Sequence, residues 1–261
     1  MDMLATTDAP RQDDPRVAKI TLDHPWQWLA KGWSDIKTAP AFSLRYGAMI
    51  VALSGIIVLL TILGHLTFLI PFLTAGFFLM APLLAIGLYQ MSDHIERGEP
   101  VSQCQAIEAF KRNQGQLGVA TGFLFMTMQL WILASVFLFI MLFNDPFPPF
   151  SRFIPIVVLS GEHVGLIMAL LVVGAFFAIL AFCISAITVP MLIDRPVDGF
   201  TAMRTSMRAV ASNWAPMLLW AVLLVAIVGA GLLTFYIGLF IAIPLVGHAT
   251  WYAYRDLVPR D

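Results

Sequence analysis

Ionisable side chains that could do chemistry in this chain stand where its long apolar runs end. Seven of them follow or end the second, fourth and sixth runs: Asp93, Glu96, Arg97, Asp194, Arg195, His248 and Arg255. If those runs are neighbouring helices, their ends meet and opposite charges come close enough to attract one another. The pattern predicts a layer of ion pairs, and the alternative interpretation is a shallow site for a lipid headgroup or a partner protein.

Two further arginines stand in the polar stretch 189–214, which separates two long apolar runs. Arg204 and Arg208 share one helical face, and Pro196 with Asp198 supplies a helix-start signal. Four apolar side chains recur at spacings of three and four on another face: Phe200, Met203, Met207 and Val210. A basic amphipathic helix of this kind is typical of the boundary between acyl chains and headgroups, and the alternative is a loop helix packed on its own protein.

Anionic lipid headgroups are the ligands that such arginines would attract, by about 1 kcal/mol for each residue near the surface. Another membrane protein complex is the alternative partner. Nucleic acid is not predicted, because the sequence lacks a basic patch with interleaved aromatic residues. The sequence thus predicts six residues that bind lipid or a partner: Arg97, Asp194, Arg195, Arg204, Arg208 and His248.

The five histidines raise the question of a haem or metal site, because neutral imidazole is a good ligand. His65 and His163 are predicted near one membrane surface and His94 and His248 near the other, so each pair could hold one metal. No pair has motif spacing, and the sequence contains no zinc cysteine pair, phosphate loop or serine nucleophile motif. We therefore predict no cofactor, metal or catalytic residue, and we favour a protein that is not an enzyme.

The elements that position these residues are membrane-spanning helices. Hydrophobic residues make up 59% of the 261 residues and charged residues only 12%, about half the charged share of soluble domains. Apolar runs of about 18 or more residues can cross the hydrocarbon core as helices. The predicted fold class is an all-α membrane protein with cytoplasmic amphipathic interfacial helices and six transmembrane helices, at about 46–63, 68–91, 118–143, 165–190, 214–231 and 232–254.

The amino-terminal residues differ in character from the rest of the chain. Residues 1–22 are polar, contain prolines and show no periodicity, so we predict a disordered cytoplasmic tail before a single transmembrane domain over residues 23–258. Tryptophan favours the headgroup level of a membrane, and three tryptophans stand within eight residues at Trp26, Trp28 and Trp33. This segment is the second predicted interfacial helix, with a short soluble helix packed on the bundle as the alternative.

The distribution of positive charge predicts the orientation of the chain. Fourteen of the 15 lysines and arginines flank the predicted spans on one side, and only Arg152 lies on the other. By the positive-inside rule, both termini and both polar inserts face the cytoplasm. The insert that follows the second span is predicted to contain a helix from Ser102, capped by Ser102 with Gln105 and carrying a Glu108–Arg112 pair.

Prolines interrupt two of the predicted spans. Pro71 and Pro82 in the second span and Pro244 in the sixth each remove a backbone donor, so these helices should be kinked. The two polar inserts also open alike, with Pro100-Val101 and Pro196-Val197, which suggests a parallel repeat of the kind that some transporters have. These features favour a transporter or channel for a weakly polar or lipid-like solute. The lack of charged residues in the middle of the predicted spans argues against ion coupling.

Four segments at the predicted cytoplasmic ends of the spans resemble one known family. They read HPWQWLAKGWSDIKTAP, APLLAIGLYQMSDHIERGEP, VPMLIDRPVD and PLVGHATWYAYRDLV, and the resemblance extends over residues 24–258. The family is that of the proteobacterial integral membrane proteins catalogued as domain of unknown function 2189. The resemblance implies a multi-pass protein of the bacterial inner membrane with no established activity, and it assigns no functional residue.

Three functional hypotheses follow from the sequence. The first is a non-enzymatic accessory or scaffold protein that binds a membrane complex or lipid, because the spans carry no buried charge and no catalytic motif is present. The second is the transporter or channel described above. The third is a haem- or quinone-linked respiratory component, which rests on names borrowed from cytochrome oxidase subunits that some relatives carry.

Overall fold

The computed structural model describes residues 15–66, 70–101, 113–145 and 159–260, together with positions 111, 155 and 157. The predicted helix from Ser102 with its Glu108–Arg112 pair lies outside the described residues, as do residues 1–14. Ten helices are described, in this order: α1 (His24–Thr38), α2 (Pro40–Leu63), α3 (Ile70–Leu84), α4 (Ile86–Arg97), α5 (Gln114–Leu142), α6 (Val164–Ser185), α7 (Thr188–Asp194), α8 (Gly199–Ser212), α9 (Trp214–Leu233) and α10 (Leu239–Leu257).

Four stretches are long and apolar enough to cross a membrane: Pro40–Leu63, Gln114–Leu142, Val164–Asp194 and Trp214–Leu233. In the most apolar 18-residue part of each stretch, between 6% and 28% of the residues are buried. These helices therefore direct most of their apolar surface outwards, as helices in contact with lipid do. The prediction of an all-helical membrane protein is confirmed for the described residues. The other two of the six predicted spans, 68–91 and 232–254, are not among these four stretches; the structure forms α3 and α4 in the first and α10 in the second.

The second predicted span is interrupted near its charged end. Helices α3 and α4 are separated at Ala85, three residues after Pro82. The Leu88 N–H donates to Ala85 at 2.9 Å, which leaves the Leu84 carbonyl without its helical partner. The Tyr46 hydroxyl donates to that carbonyl at 2.5 Å and satisfies it.

The fourth predicted span is interrupted in a similar position, between Ser185 at the end of α6 and the start of α7. In a continuous helix the Ile187 N–H would donate to the Cys183 carbonyl. Here Ser206 of α8 replaces that bond, since its hydroxyl donates to the Cys183 carbonyl at 2.8 Å and accepts from the Ile187 N–H at 3.4 Å. The Ser206 side chain of α8 therefore fixes the start of α7 relative to the end of α6.

The central element is α10, which packs against α1, α2, α4 and α9. Two glycines let its neighbours approach its backbone closely. A Cβ added to Gly47 of α2 would lie 2.1 Å from the Phe240 carbonyl oxygen, and one added to Gly32 of α1 would lie 2.8 Å from the Ala249 nitrogen. Four large aromatic side chains are fully buried in the resulting core: Trp28, Trp220, Trp251 and Tyr254.

Residues 15–22 run without regular structure along the charged end of the bundle. The Ala18 N–H donates to the Leu257 carbonyl at 2.9 Å. The Asn213 side chain accepts from the Ile20 N–H and donates to the Ala18 carbonyl, both at 3.0 Å. The sequence places these residues in the disordered tail, whereas here hydrogen bonds hold them against the ends of α8 and α10.

Candidate functional site

A buried chain of hydrogen bonds lies where α1, α2, α4 and α10 meet. At its centre is the fully buried side chain of His248. Its Nε2 lies 3.0 Å from the Ser43 hydroxyl and its Nδ1 lies 2.8 Å from the Ser92 hydroxyl. Ser92 donates to Asp35 Oδ2 at 2.6 Å, and the Tyr252 hydroxyl donates to Asp35 Oδ1 at 3.0 Å. These five side chains form one network, called the His248 network below.

The positions of the protons in the His248 network follow from counting donors. The single hydroxyl proton of Ser92 goes to the Asp35 carboxylate, so the Ser92 oxygen must accept from Nδ1–H of His248. The other ring nitrogen then accepts from Ser43. If Asp35 becomes protonated on Oδ2 and donates to Ser92, the bonds from Asp35 through Ser92 and His248 to Ser43 reverse and the imidazole changes to its Nε2–H tautomer, whereas the Tyr252 hydroxyl still donates to Oδ1. The network therefore couples the charge of Asp35 to the tautomer of His248.

Burial raises the pKa of Asp35 from its ordinary value of 3.8 to about 6. The hydrogen bonds from Ser92 and Tyr252 act in the opposite direction, and the negative charge of Glu96 adds to the increase. Because the folded protein holds this proton more tightly than the unfolded chain, the stabilisation by protonated Asp35 is fully present below pH 3.8. It is lost as the pH rises through about 6.

We expect His248 in the wild-type protein to change from the Nδ1–H tautomer at about pH 7.5 to the Nε2–H tautomer at about pH 5, because Asp35 takes up a proton between these values. The Asp35→Asn variant should show the Nε2–H tautomer at both values, since its amide donates to Ser92 permanently. Nitrogen chemical shifts of labelled histidine report the tautomer. The melting temperature of the wild type relative to this variant should rise on acidification. An unchanged Nδ1–H tautomer in the wild type at about pH 5 would contradict the reversal.

An ion-paired layer covers the charged end of the bundle. Asp93 at the end of α4 accepts from Arg97 Nε at 3.1 Å and from Arg260 Nη2 at 2.6 Å. Arg260 also pairs with Asp194 at the end of α7, so one guanidinium joins the two helix ends. The carboxylate side chains of Asp93 and Asp194 are only 9% and 3% exposed. The pairing predicted from the sequence is therefore present.

Arg195 directs its guanidinium towards the chain that follows α10. Its Nε donates to the Tyr254 hydroxyl at 2.9 Å, and that hydroxyl donates to Asp194 at 2.7 Å. Its Nη2 donates to the Val258 carbonyl at 2.9 Å and to the Pro259 carbonyl at 2.6 Å. Arg195 thus fixes the carboxyl-terminal segment against α7.

Tryptophan indoles complete the layer. Glu96 of α4 pairs with Arg255 of α10 at 3.1 Å and accepts from the Trp251 indole at 3.2 Å. Asp256 accepts from the Trp28 indole at 2.7 Å. Charge-assisted bonds of this kind bind α1 and α4 to the last helix.

Helix α8 exposes a mixed apolar and basic face, on which the Phe200 ring also packs edge-on against Phe123 of α5 with centroids 5.5 Å apart. Phe200 and Met207 are 62% and 45% exposed, and Arg204 and Arg208 are also exposed. Met203, which the sequence pattern places with Phe200 and Met207, is buried instead. The inner face can approach the bundle because most of its side chains are small: Ala202, Thr205, Ser206 and Ala209.

Helix α1 divides its three tryptophans between two faces. Trp28 is fully buried, and its ring packs edge-on against Trp220 with centroids 5.4 Å apart. Trp26 and Trp33 are 56% and 45% exposed. Of the three tryptophans predicted to favour the membrane surface, these two remain available to it.

The six residues predicted to bind lipid or a partner fall into three places. Arg204 and Arg208 lie on the outward face of α8. The ion-paired layer contains three more: Arg97, Asp194 and Arg195. His248 lies inside the bundle, bonded to two serines, and contributes nothing to the surface.

Four members of the His248 network were not singled out from the sequence: Asp35, Ser43, Ser92 and Tyr252. None stands in a recognisable motif, and the amphipathic pattern of α1 places Asp35 on the polar face. One available signal was Gly32, because a glycine one helical turn before a carboxylate permits close contact with another helix. The buried face of α1 indeed contains Trp28, Gly32 and Asp35.

The histidines considered as metal pairs have separate neighbours. His94 lies 2.8 Å from Glu99 and His163 lies 3.5 Å from Asp145, whereas His248 contacts the two serines. Among the residues that the structure describes, no three His, Cys, Asp or Glu side chains are grouped so that they could hold a metal ion.

Comparison with known families gives one match. The model of a family described as a predicted integral membrane protein (DUF2189) matches residues 69–194. This segment, just under half of the chain, is similar to the DUF2189 family. The resemblance noted in the sequence is thereby confirmed for residues 69–194, and the match supports an integral membrane protein with no specific activity assigned. No curated protein and no solved structure matches the chain.

The DUF2189 match extends through α3 to α7 and includes both helix breaks. It contains Ser92 and Asp93 of the site, together with Asp194. His248 and Arg260 follow the matched range in the chain. The site thus joins the family segment to the helices outside it.

Proposed function

We propose that the protein is a non-enzymatic accessory or scaffold protein of the bacterial inner membrane, which binds anionic lipid or a membrane protein complex at its cytoplasmic surface. The observation that carries the proposal is a set of exposed aromatic, apolar and basic side chains on helices whose other faces are packed into the bundle. We call it the interfacial surface: Trp26, Trp33, Phe200, Arg204, Met207, Arg208 and Trp214.

The composition of the interfacial surface suits the headgroup region of a membrane. Large apolar side chains exposed beside charged ones mark a binding or membrane surface more often than a water-facing one. Trp214 is 70% exposed at the first position of α9, and tryptophan is enriched at the headgroup level, which the proposal assigns to this position. Arginines on the same surface can keep their charge at the headgroups while their stems lie among apolar groups.

The same proposal includes a topology of six crossings with both termini in the cytoplasm. In it, α3 with α4 and α10 supply the two crossings beyond the four apolar stretches, and α1 and α8 lie in the cytoplasmic interface. Support comes from the charge distribution, since eleven of the twelve described lysines and arginines, all but Lys111, belong to elements that meet at one end of the bundle or to the segments beside them.

The double variant R204Q/R208Q tests the lipid part of the proposal. Each arginine near an anionic surface is worth about 1 kcal/mol, so each loss should weaken binding of short-chain phosphatidylglycerol about fivefold. The binding constant can be measured by native mass spectrometry in a neutral detergent. R16Q/R45Q removes the same charge outside α8 and serves as the control. Equal weakening in both variants would show that net charge, and not the interfacial surface, attracts the lipid.

A transporter or channel for a weakly polar or lipid-like solute is the second candidate. The observation that favours it is the pair of interrupted helices, at Ala85 and between α6 and α7, because transporters often contain broken helices. Purification from the native membrane in mild detergent, with mass spectrometry and an absorption spectrum of the same sample, tests the scaffold candidate. A stoichiometric protein partner supports the scaffold. A haem-like band or turnover of a substrate would contradict it.

A further inference from the structure

An open cleft of about 470 Å³ lies between the corner that joins α1 to α2 and the end of α4. One wall consists of residues 38–42, and the other contains Ile95, Gly98, Glu99 and Val101. Among the described residues that line the cleft, Glu99 is the only one with an ionisable side chain. Residues 40–42 begin α2, a helix long and apolar enough to cross a membrane. The cleft therefore lies where a membrane-spanning helix starts.

The turn that ends α4 places Glu99 at the cleft. Gly98 has a positive φ of 69°, which glycine adopts without strain. The Gly98 N–H donates to the Ile95 carbonyl at 3.1 Å and the Glu99 N–H donates to the His94 carbonyl at 2.8 Å, which fixes the turn. The Glu99 carboxylate lies 2.8 Å from His94 Nδ1, and its side chain is 47% exposed. A carboxylate accepts several hydrogen bonds, so Glu99 can accept further bonds from a ligand in the cleft.

A guanidinium lies beside the same cleft. Arg45 is exposed, and its Cζ lies 5.3 Å from the centre of the Phe42 ring, which lines the cleft. The Arg45 side chain thus turns back towards the start of α2, as arginine side chains do near a membrane surface. A positive group beside the cleft and a negative group in its wall fit a ligand that carries both charges.

An exposed apolar stripe continues from Arg45 along α2. Four large side chains follow Arg45 at spacings of four, four, three and four, so they share one helical face with it. Each is between 47% and 61% exposed: Met49, Leu53, Ile56 and Leu60. One leaflet of the hydrocarbon core is about 15 Å thick, which equals about ten residues of helix. An acyl chain whose phosphate lies at Arg45 would therefore extend along this stripe to about Ile56.

We propose that the cleft binds the headgroup of phosphatidylethanolamine, with its phosphate at Arg45, its primary ammonium at Glu99 and one acyl chain along the stripe. Each charge of this zwitterionic lipid then meets an opposite charge. The ammonium can donate N–H bonds to the carboxylate, whereas the quaternary ammonium of phosphatidylcholine has no N–H to donate.

The cleft is a second lipid site, separate from the interfacial surface. Phosphatidylglycerol has no cation for Glu99, and the negative charge of this residue disfavours an anionic headgroup beside it. We therefore expect Arg45 to contribute little to phosphatidylglycerol binding, as the R16Q/R45Q control requires.

Native mass spectrometry of the full-length protein in a neutral detergent tests the site with short-chain phosphatidylethanolamine and phosphatidylcholine of equal chain length. The wild type should bind phosphatidylethanolamine at least about tenfold more tightly, because only this lipid forms the charge-assisted hydrogen bond. Glu99→Gln, which is close to isosteric, should reduce this preference to less than about threefold and leave phosphatidylcholine binding unchanged. Equal binding of both lipids to the wild type, or a preference that persists in Glu99→Gln, would overturn the proposal.

Matched variants separate the cleft from net charge and from the interfacial surface. Glu162→Gln removes the same charge from the turn before α6 and should keep the full preference. Loss of the preference in this variant as well would overturn the proposal. Arg45→Gln should weaken both lipids about fivefold, since both carry a phosphate, and unchanged binding would contradict the position of the phosphate. R204Q/R208Q should retain the preference, so failure at the cleft is distinguishable from failure at the interfacial surface.

Discussion

Alanine in place of Gly47 is expected to separate α2 from α10 and to cause a large loss of stability, because this position has the shortest Cβ approach to another helix's backbone among Gly32, Gly47 and Gly55. The new Cβ would lie 2.1 Å from the Phe240 carbonyl oxygen, much closer than any real Cβ contact. That oxygen belongs to the backbone, so a rotamer change cannot relieve the clash and one helix must move. Overpacking costs about 1–3 kcal/mol and occasionally more, and we expect the upper end because two helix backbones are involved.

The movement should also be visible at the His248 network. Ser43 lies one turn before Gly47 on α2 and is bonded to His248, so a displaced α2 lengthens that bond. Thermal unfolding in detergent measures the loss, and about 3 kcal/mol corresponds to a decrease of about 10 °C for a chain of this size.

Gly55 supplies the matched control on the same helix. A Cβ at Gly55 meets nothing within 4 Å, and alanine favours helix over glycine by about 1 kcal/mol. Gly55→Ala should therefore leave the melting temperature unchanged or raise it. If both alanine variants behaved alike, the close approach of α2 to α10 would not be a source of stability.

The second large effect is expected from His248→Leu, which should lower the free energy of unfolding by about 2–4 kcal/mol. Leucine fills a similar volume but leaves the buried hydroxyls of Ser43 and Ser92 without the imidazole, and an unsatisfied buried polar group costs about 1–3 kcal/mol. The Asp35 carboxylate keeps its hydrogen bonds from Ser92 and Tyr252, so the network should lose only the bonds to His248. Helix α1 should therefore stay packed against α10.

A double-mutant cycle with Ser92→Ala measures the coupling within the network. The serine and the imidazole are hydrogen-bonded to each other. The sum of the unfolding free energies lost in the two single variants should therefore clearly exceed the loss in the double variant. Equilibrium unfolding of the four proteins in mixed micelles gives the required free energies. Strictly additive losses would mean that the side chains stabilise the bundle independently.

The sequence predicted those features that depend on local patterns. Apolar runs predicted the spans, because a helix in lipid must be apolar for about twenty residues. Pro82 marked the interruption at Ala85, and Asp198 marked the start of α8, where its Oδ1 accepts from the Thr201 N–H at 2.9 Å. Each of these signals depends on residues that are close together in the sequence, so it can be detected without knowledge of the fold.

Features that depend on distant contacts were not predictable in the same way. The tryptophans of α1 are alike in hydrophobicity, and contacts with Trp220 of α9 and Asp256 of α10 decide that Trp28 is the one inside. Arg260 reaches Asp93 across 167 positions of the chain. A charge count placed both residues on the same side of the membrane, but it could not pair them.

The contact between α1 and α10 has a consequence for synthesis of the protein. The Trp28 indole bonds to Asp256, which is added to the chain 228 positions later. At about 5–20 residues per second, α1 waits roughly 10–45 s after its translation before its partner exists. During that time the membrane surface can hold the helix, because tryptophan partitions to the headgroup level. Helix α1, the first of the described helices to be made, is therefore among the last to reach its final position.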